Sequence, residues 1–188
     1  MNERFVNKTL LDTYLPNYQF SERHSTWVNA SPGQALDVIM DYDFTADGIT
    51  AVFMTLRRLP GRLLSQVLPN VTMPQEFTMR TFTPLARDGD REMVAGLVGR
   101  FWRLDGGLVP IADGDAFLRY AEVGVPKLAM NFSAEADGAR TRLSTETRVY
   151  CPDQASRLRF TPYWYVIRLA SGLIRRRFLS RIRAQFDR

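Results

Sequence analysis

His24 is the only histidine in the chain, and Glu22 stands two residues before it in the run Gln19–Val28. That run holds Thr, Trp and Val and lacks Gly, Pro and Asn, so it reads as a strand. Side chains two apart on a strand share a face, so Phe20, Glu22, His24, Thr26 and Val28 point one way. If Val28 marks the core side, that face is unusually polar for a packed interior. A carboxylate beside an imidazole has three uses. It makes a satisfied structural pair, it presents polar contacts to a bound molecule, or it orients the ring as a general acid or base. Structural pairing is the reading the other two must beat, because buried polar groups are mostly just hydrogen-bonded.

A second polar set lies near the end of the strand-rich region. Leu143, Thr145, Thr147, Val149 and Cys151 alternate with Ser144, Glu146, Arg148 and Tyr150. The first set is the more apolar and is assigned inward, with Thr145 and Thr147 as hydroxyl contacts. Glu146 and Arg148 then form cross-strand or surface ion pairs of little individual worth; with the parity reversed they become cavity residues beside Glu22. Phe101-Trp102, read as part of a strand, and Tyr163-Trp164-Tyr165 at a helix start supply aromatic area to line a cavity, against the plainer use of ordinary core packing. Phe101, Tyr163, Trp164 and Ile167 are the candidate apolar contacts, beside Glu22, His24, Thr145 and Thr147.

Counts remove several classes of chemistry. With 188 residues and 45% apolar composition the chain can bury a core of its own, and a single domain over 1–188 is expected. Cys151 is the only cysteine, which excludes an internal disulfide and a cysteine-cluster metal site. With one histidine as well, no metal is expected. Phosphate-cradling glycine loops are absent from the sequence, and no cofactor is expected. No apolar run is long enough for a transmembrane helix. The opening MNERFVNKTLLDTYLPNYQF lacks an apolar signal core with a small-residue cleavage site, so a cytoplasmic location is expected. The net charge of +5 is unevenly placed: residues 153–188 hold nine Arg against two Asp. Arg175, Arg176, Arg177, Arg181 and Arg183 read as a water-facing basic surface near a helix C-terminus. They suit weak contact with an anionic surface; no nucleic-acid motif accompanies them.

These residues must be held by a legible series of elements. Glu3–Tyr14 suggests a short helix ended by Pro16. Ser31 and Pro32 open a helix carrying Ala35, Leu36, Ile39 and Met40 on one face. A second helical stretch is read over Ile49–Leu59. Glu76–Leu85 and Arg91–Leu104 flank the turn Arg87–Asp90; Asp105-Gly106-Gly107 makes another turn before a short strand, Leu108–Ile111. Asp113 caps a short helix, and Pro126–Ala136 and Thr141–Cys151 form a hairpin about Asp137-Gly138. Asp153–Phe186 is helical, with Leu158, Val166, Ile167, Ala170, Ile174, Phe178, Ile182 and Phe186 as its apolar stripe. Pro162 should kink that helix, or start its main segment with Thr161 as N-cap. Gly172 inside it suggests a bend or a close approach to the sheet. Strands and helices segregate along the chain, which argues for α+β.

That order resembles the helix-grip fold of the START-like (SRPBCC; Bet v 1-like, polyketide cyclase-like) superfamily. The stretch VNASPGQAL (Val28–Leu36) is similar to the first strand-to-helix junction seen there. The pieces YLPNY, ERHS, LVGRFWR, STETRVYC and YWYVIRLASGLIRR resemble an uncharacterised bacterial branch of it. The resemblance covers nearly the whole chain. It implies a curved antiparallel sheet wrapped around the long C-terminal helix, with an internal cavity between them. Members include lipid carriers, hormone receptors, aromatic cyclases and hydroxylase subunits, so fold alone does not choose a function. No catalytic residues of an enzymatic branch match. The expectation is a carrier or sensor of a small apolar or amphipathic molecule. The alternatives are a cyclase or dehydratase using His24 with Glu22, and a peripheral or scaffolding protein using the basic last helix.

Overall fold

The computed structural model describes residues 8–41, 81–103 and 107–187. Its frame is a six-stranded, wholly antiparallel sheet in the order β1-β6-β5-β3-β2, with β4 paired to β3. The strands are β1 (Phe20–Val28), β2 (Thr83–Asp88), β3 (Glu92–Gly99), β4 (Leu108–Val109), β5 (Lys127–Asp137) and β6 (Arg140–Tyr150). The helices are α1 (Leu10–Tyr14), α2 (Pro32–Asp41), α3 (Gly114–Arg119) and α4 (Gln154–Phe186). The class is α+β, as the segregated pattern implied.

Local chemistry accounts for the boundaries. Gly138 takes a φ of +61° between β5 and β6, a conformation open to glycine at no steric cost. Ser31 and Gln34 close a reciprocal cap on α2: Gln34 N donates to Ser31 Oγ (3.4 Å) and Ser31 N to Gln34 Oε1 (3.0 Å). Asp113 accepts from Ala116 N at 2.8 Å and starts α3. Asp153 and Ser156 do the same for α4, with Ser156 N donating to Asp153 Oδ1 at 2.8 Å. The last helix therefore begins at Gln154, and Thr161 is not its cap: the Thr161 hydroxyl donates back to Arg157 O at 2.8 Å. Pro162 sits inside the helix at an exposed position, where water can take up the carbonyl that lost its donor. The expected helix Ile49–Leu59, the start of the Glu3–Tyr14 helix, the first residues of the Glu76–Leu85 strand and most of the Asp105-Gly106-Gly107 turn lie outside the described residues.

Both faces of the sheet are covered. On one, α2 and α4 pack over Val28, Met93, Met130, Phe132 and Leu143. On the other, α1 and α3 bring Leu11, Leu15 and Phe117 onto Val94, Val98 and Ala129. Two-sided burial explains why β3 is buried at every position except Ala95, where a one-sided sheet would alternate. It also corrects the reading of Glu146 and Arg148 as cross-strand or surface ion pairs: they pair along one strand, under the first helix. Arg148 is buried on the α1 side, donating to Glu146 Oε1 and Asp12 Oδ1, each at 2.7 Å. Two further expectations fail locally. Phe101 and Trp102 lie in the turn after β3 rather than on a strand, and Leu158 is 66% exposed, off the buried stripe of α4. Phe178, Ile182 and Phe186 are on that stripe as read; the side chains of Val166, Ala170 and Ile174 lie outside the described set.

Candidate functional site

Burial along β1 alternates from Phe20 to Val28, with Phe20, Glu22, His24, Thr26 and Val28 on the covered side. The parity reading of β1 therefore stands. Antiparallel pairing sets Phe20 opposite Val149, Glu22 opposite Thr147, His24 opposite Thr145 and Thr26 opposite Leu143. Cross-strand partners have neighbouring side chains, so Glu22, His24, Thr145 and Thr147 form one compact polar patch. Period two along each strand and pairing across them are enough to assemble it.

The patch is tightly made. His24 Nε2 lies 2.7 Å from Glu22 Oε1, and the side chains are 16% and 8% exposed. From α4, Arg175 reaches in: its Nη2 donates to Thr147 Oγ1 at 2.6 Å and its Nη1 to Glu22 O at 3.4 Å. Nη1 is 4.0 Å from Glu22 Oε2, so the ion pair is loose compared with the His24–Glu22 contact. Burial pushes the Arg175 pKa below the usual guanidinium value, and the charge of Glu22 offsets this only partly. Arg175 departs from the water-facing basic surface expected of it: the structure turns it inward. Gly172, one helical turn earlier, is what allows the approach. A Cβ built there would stand 3.0 Å from Glu22 Oε1. Thr145 is 1% exposed, and its hydroxyl has no hydrogen-bond partner among the described residues.

Apolar clusters flank this polar belt on both sides. Val28, Phe132, Leu143, Phe178, Leu179 and Ile182 belong to the cluster at one end. Phe101, Val149, Phe160 and Trp164, with Phe20, Tyr163 and Ile167 against them, form the other. Phe160 is its hub: its ring centre is 5.0 Å from Phe20, 6.1 Å from Phe101, 5.6 Å from Tyr163 and 6.0 Å from Trp164. The structure thus groups Phe101, Tyr163, Trp164 and Ile167 with one another, as mutually packed side chains beside the belt. Sequence reasoning missed Phe160 and Arg175. The signal for Arg175 was its spacing of three from Gly172, which puts both on one helix face. An apolar groove of about 520 Å³, with Ile39, Phe82, Met93 and Phe132 among its walls, lies beside the first cluster. Phe132 is also the cross-strand neighbour of Thr145.

Other reactive types are spent. Cys151 is buried, and burial followed by the charge of Asp153 pushes its thiol up to about 12. Among the described residues no group of His, Cys, Asp and Glu is arranged to hold a metal ion. Compared with protein-family models, curated proteins and solved structures, the chain matches none, and its geometry is what bears on function.

Proposed function

We propose that this is a helix-grip protein of the START-like kind that binds a small apolar or amphipathic molecule between its sheet and α4. The observation that carries the reading is the polar belt set between two apolar clusters, with the Thr145 hydroxyl buried and unpartnered in it. An unmet buried hydroxyl costs about 1–3 kcal/mol, and valine would fill much the same space without that cost. A guest whose polar group meets Thr145 while its apolar part lies against Phe132 or the aromatic cluster gives the arrangement a purpose. Native mass spectrometry of gently purified protein tests this. A co-purifying small molecule, released on unfolding and less abundant in Thr145→Val, is expected. A bare protein mass, together with no binding of straight-chain amphiphiles, would overturn it.

The 2.7 Å contact between Glu22 and His24 supports a second reading, an enzyme of the cyclase or dehydratase type. The carboxylate orients the ring, and His24 moves a proton to or from the bound molecule. In that case His24→Ala abolishes turnover while binding survives, because a general acid or base acts on the transition state. In the carrier reading the same substitution weakens binding and there is no turnover to lose.

A further inference from the structure

We infer that the molecule held at the belt carries a carboxylate, and that Arg175 is the residue that reads it. This rests on the ligand-binding reading above and deepens it. Arg175 spends one N–H on Thr147 and one on Glu22 O, leaving Nε and the remaining N–H groups without partners among the described residues. The guanidinium is largely desolvated, with only 16% of its side chain exposed, and the nearest carboxylate oxygen among the described residues is 4.0 Å away. The other oxygen of that carboxylate is engaged by His24 at 2.7 Å. One acidic group is thus shared between two groups able to carry positive charge. A planar fork with spare donors, mostly withdrawn from water, is suited to a second carboxylate, taken through two parallel hydrogen bonds.

The neighbours fit the same guest. Thr145 precedes Thr147 by two residues on one strand face, about 7 Å away by the rise of a strand. Its unpartnered hydroxyl lies next to the guanidinium's acceptor and has a hydrogen to give to an anionic oxygen. A neutral hydroxyl or carbonyl head satisfies Thr145 and leaves the cation of Arg175 undercompensated. A cationic head meets Arg175 with like charge and finds Glu22 already engaged. Only an anionic head answers both deficits, and a single arginine suits one charge better than the two of a phosphate monoester.

Calorimetric titration of the full chain with decanoic acid and with methyl decanoate, below micellar concentrations, separates the possibilities. Wild-type protein is expected to bind the acid at least about tenfold more tightly than the ester, the scale of a charge-assisted hydrogen bond. Arg175→Gln should bring the acid-to-ester affinity ratio close to one, and Arg175→Lys should recover part of it. Equal affinity for acid and ester overturns the carboxylate assignment and leaves the ligand-binding reading standing. If neither probe binds, both fall. The wild-type comparison decides the matter even where Arg175→Gln does not fold.

Discussion

Thr145 and Thr147 sit two apart on one face of β6, yet the same substitution should act on them in opposite directions. Thr145→Val removes a buried hydroxyl that has no partner, so the ligand-free protein should gain about 1 kcal/mol or more in denaturant unfolding. Thr147→Val removes the acceptor that Arg175 meets at 2.6 Å and leaves a buried cation short of a partner, so a loss of about 1–3 kcal/mol is expected. Equal effects would mean the belt does not have the polarity described. Cys151 supplies a separate check. A thiol raised to about 12 carries almost no thiolate at pH 8, so labelling by a thiol reagent should be negligible until denaturant opens the core. Glu22 and His24 were legible because strand parity needs only one anchor, Val28, and Thr145 and Thr147 because Leu143, Val149 and Cys151 make their face the more apolar. Arg175 was not legible in the same way. It stands in a run of three arginines, and only the phase of α4 against Gly172 and Phe178 separates it from its neighbours.

At the scale of elements, α4 depends on a residue that weakens helices. Gly172→Ala should gain up to about 1 kcal/mol of helix propensity. The new methyl would stand 3.0 Å from Glu22 Oε1, so the carboxylate must yield a few tenths of an ångström. The two effects should leave the unfolding midpoint close to wild type, whereas Gly172→Val, bulkier and β-branched, should lose about 1–3 kcal/mol. A neutral valine would show that α4 does not press on β1 there. On the opposite face, α1 is held by Asp12 against Arg148 at 2.7 Å and by Leu10 N donating to Glu92 Oε2 at 2.8 Å. Partial burial works to raise the Asp12 pKa, but hydrogen bonds from Thr9 and Arg148, with the charge of Arg148, outweigh it and hold it below 3.8. A depressed acid stabilises the fold above its unfolded pKa and loses that contribution as pH falls through the folded one. Stability should therefore decline below about pH 4, and Asp12→Asn should flatten that part of the acid titration. The strands and hairpins were legible because glycine turns and alternation are local signals. The burial of Arg148 was not, since it depends on α1, more than a hundred residues away, covering the second face. Leu158 misled for a related reason: its apolar type matched a stripe that the register of α4 turns toward solvent.

For the whole molecule, the question left by the composition is what the basic C-terminal region does. Nine of the arginines fall in residues 153–188, and Arg175 is withdrawn from them into the belt. Arg176, Arg177, Arg181 and Arg183 are exposed, and Arg183 is paired with Asp187 at 3.1 Å. At about 100° per residue, these four occupy one broad arc of α4, while Gly172, Arg175, Phe178, Ile182 and Phe186 occupy the opposite one. The apolar arc that a peripheral helix would insert into lipid is thus the one this helix spends on its own core. No helix among the described residues is long and apolar enough to cross a membrane. What remains for an anionic surface is exposed charge, and that is screened beyond about 8 Å at physiological ionic strength. Co-sedimentation with anionic vesicles should therefore be weak, confined to low salt, and reduced by replacing Arg176, Arg177 and Arg181 with Gln. Arg175→Gln should instead lower the unfolding midpoint while leaving vesicle binding alone. Salt-resistant binding would require the apolar arc to leave the sheet, and would favour the peripheral role over a ligand held beneath α4.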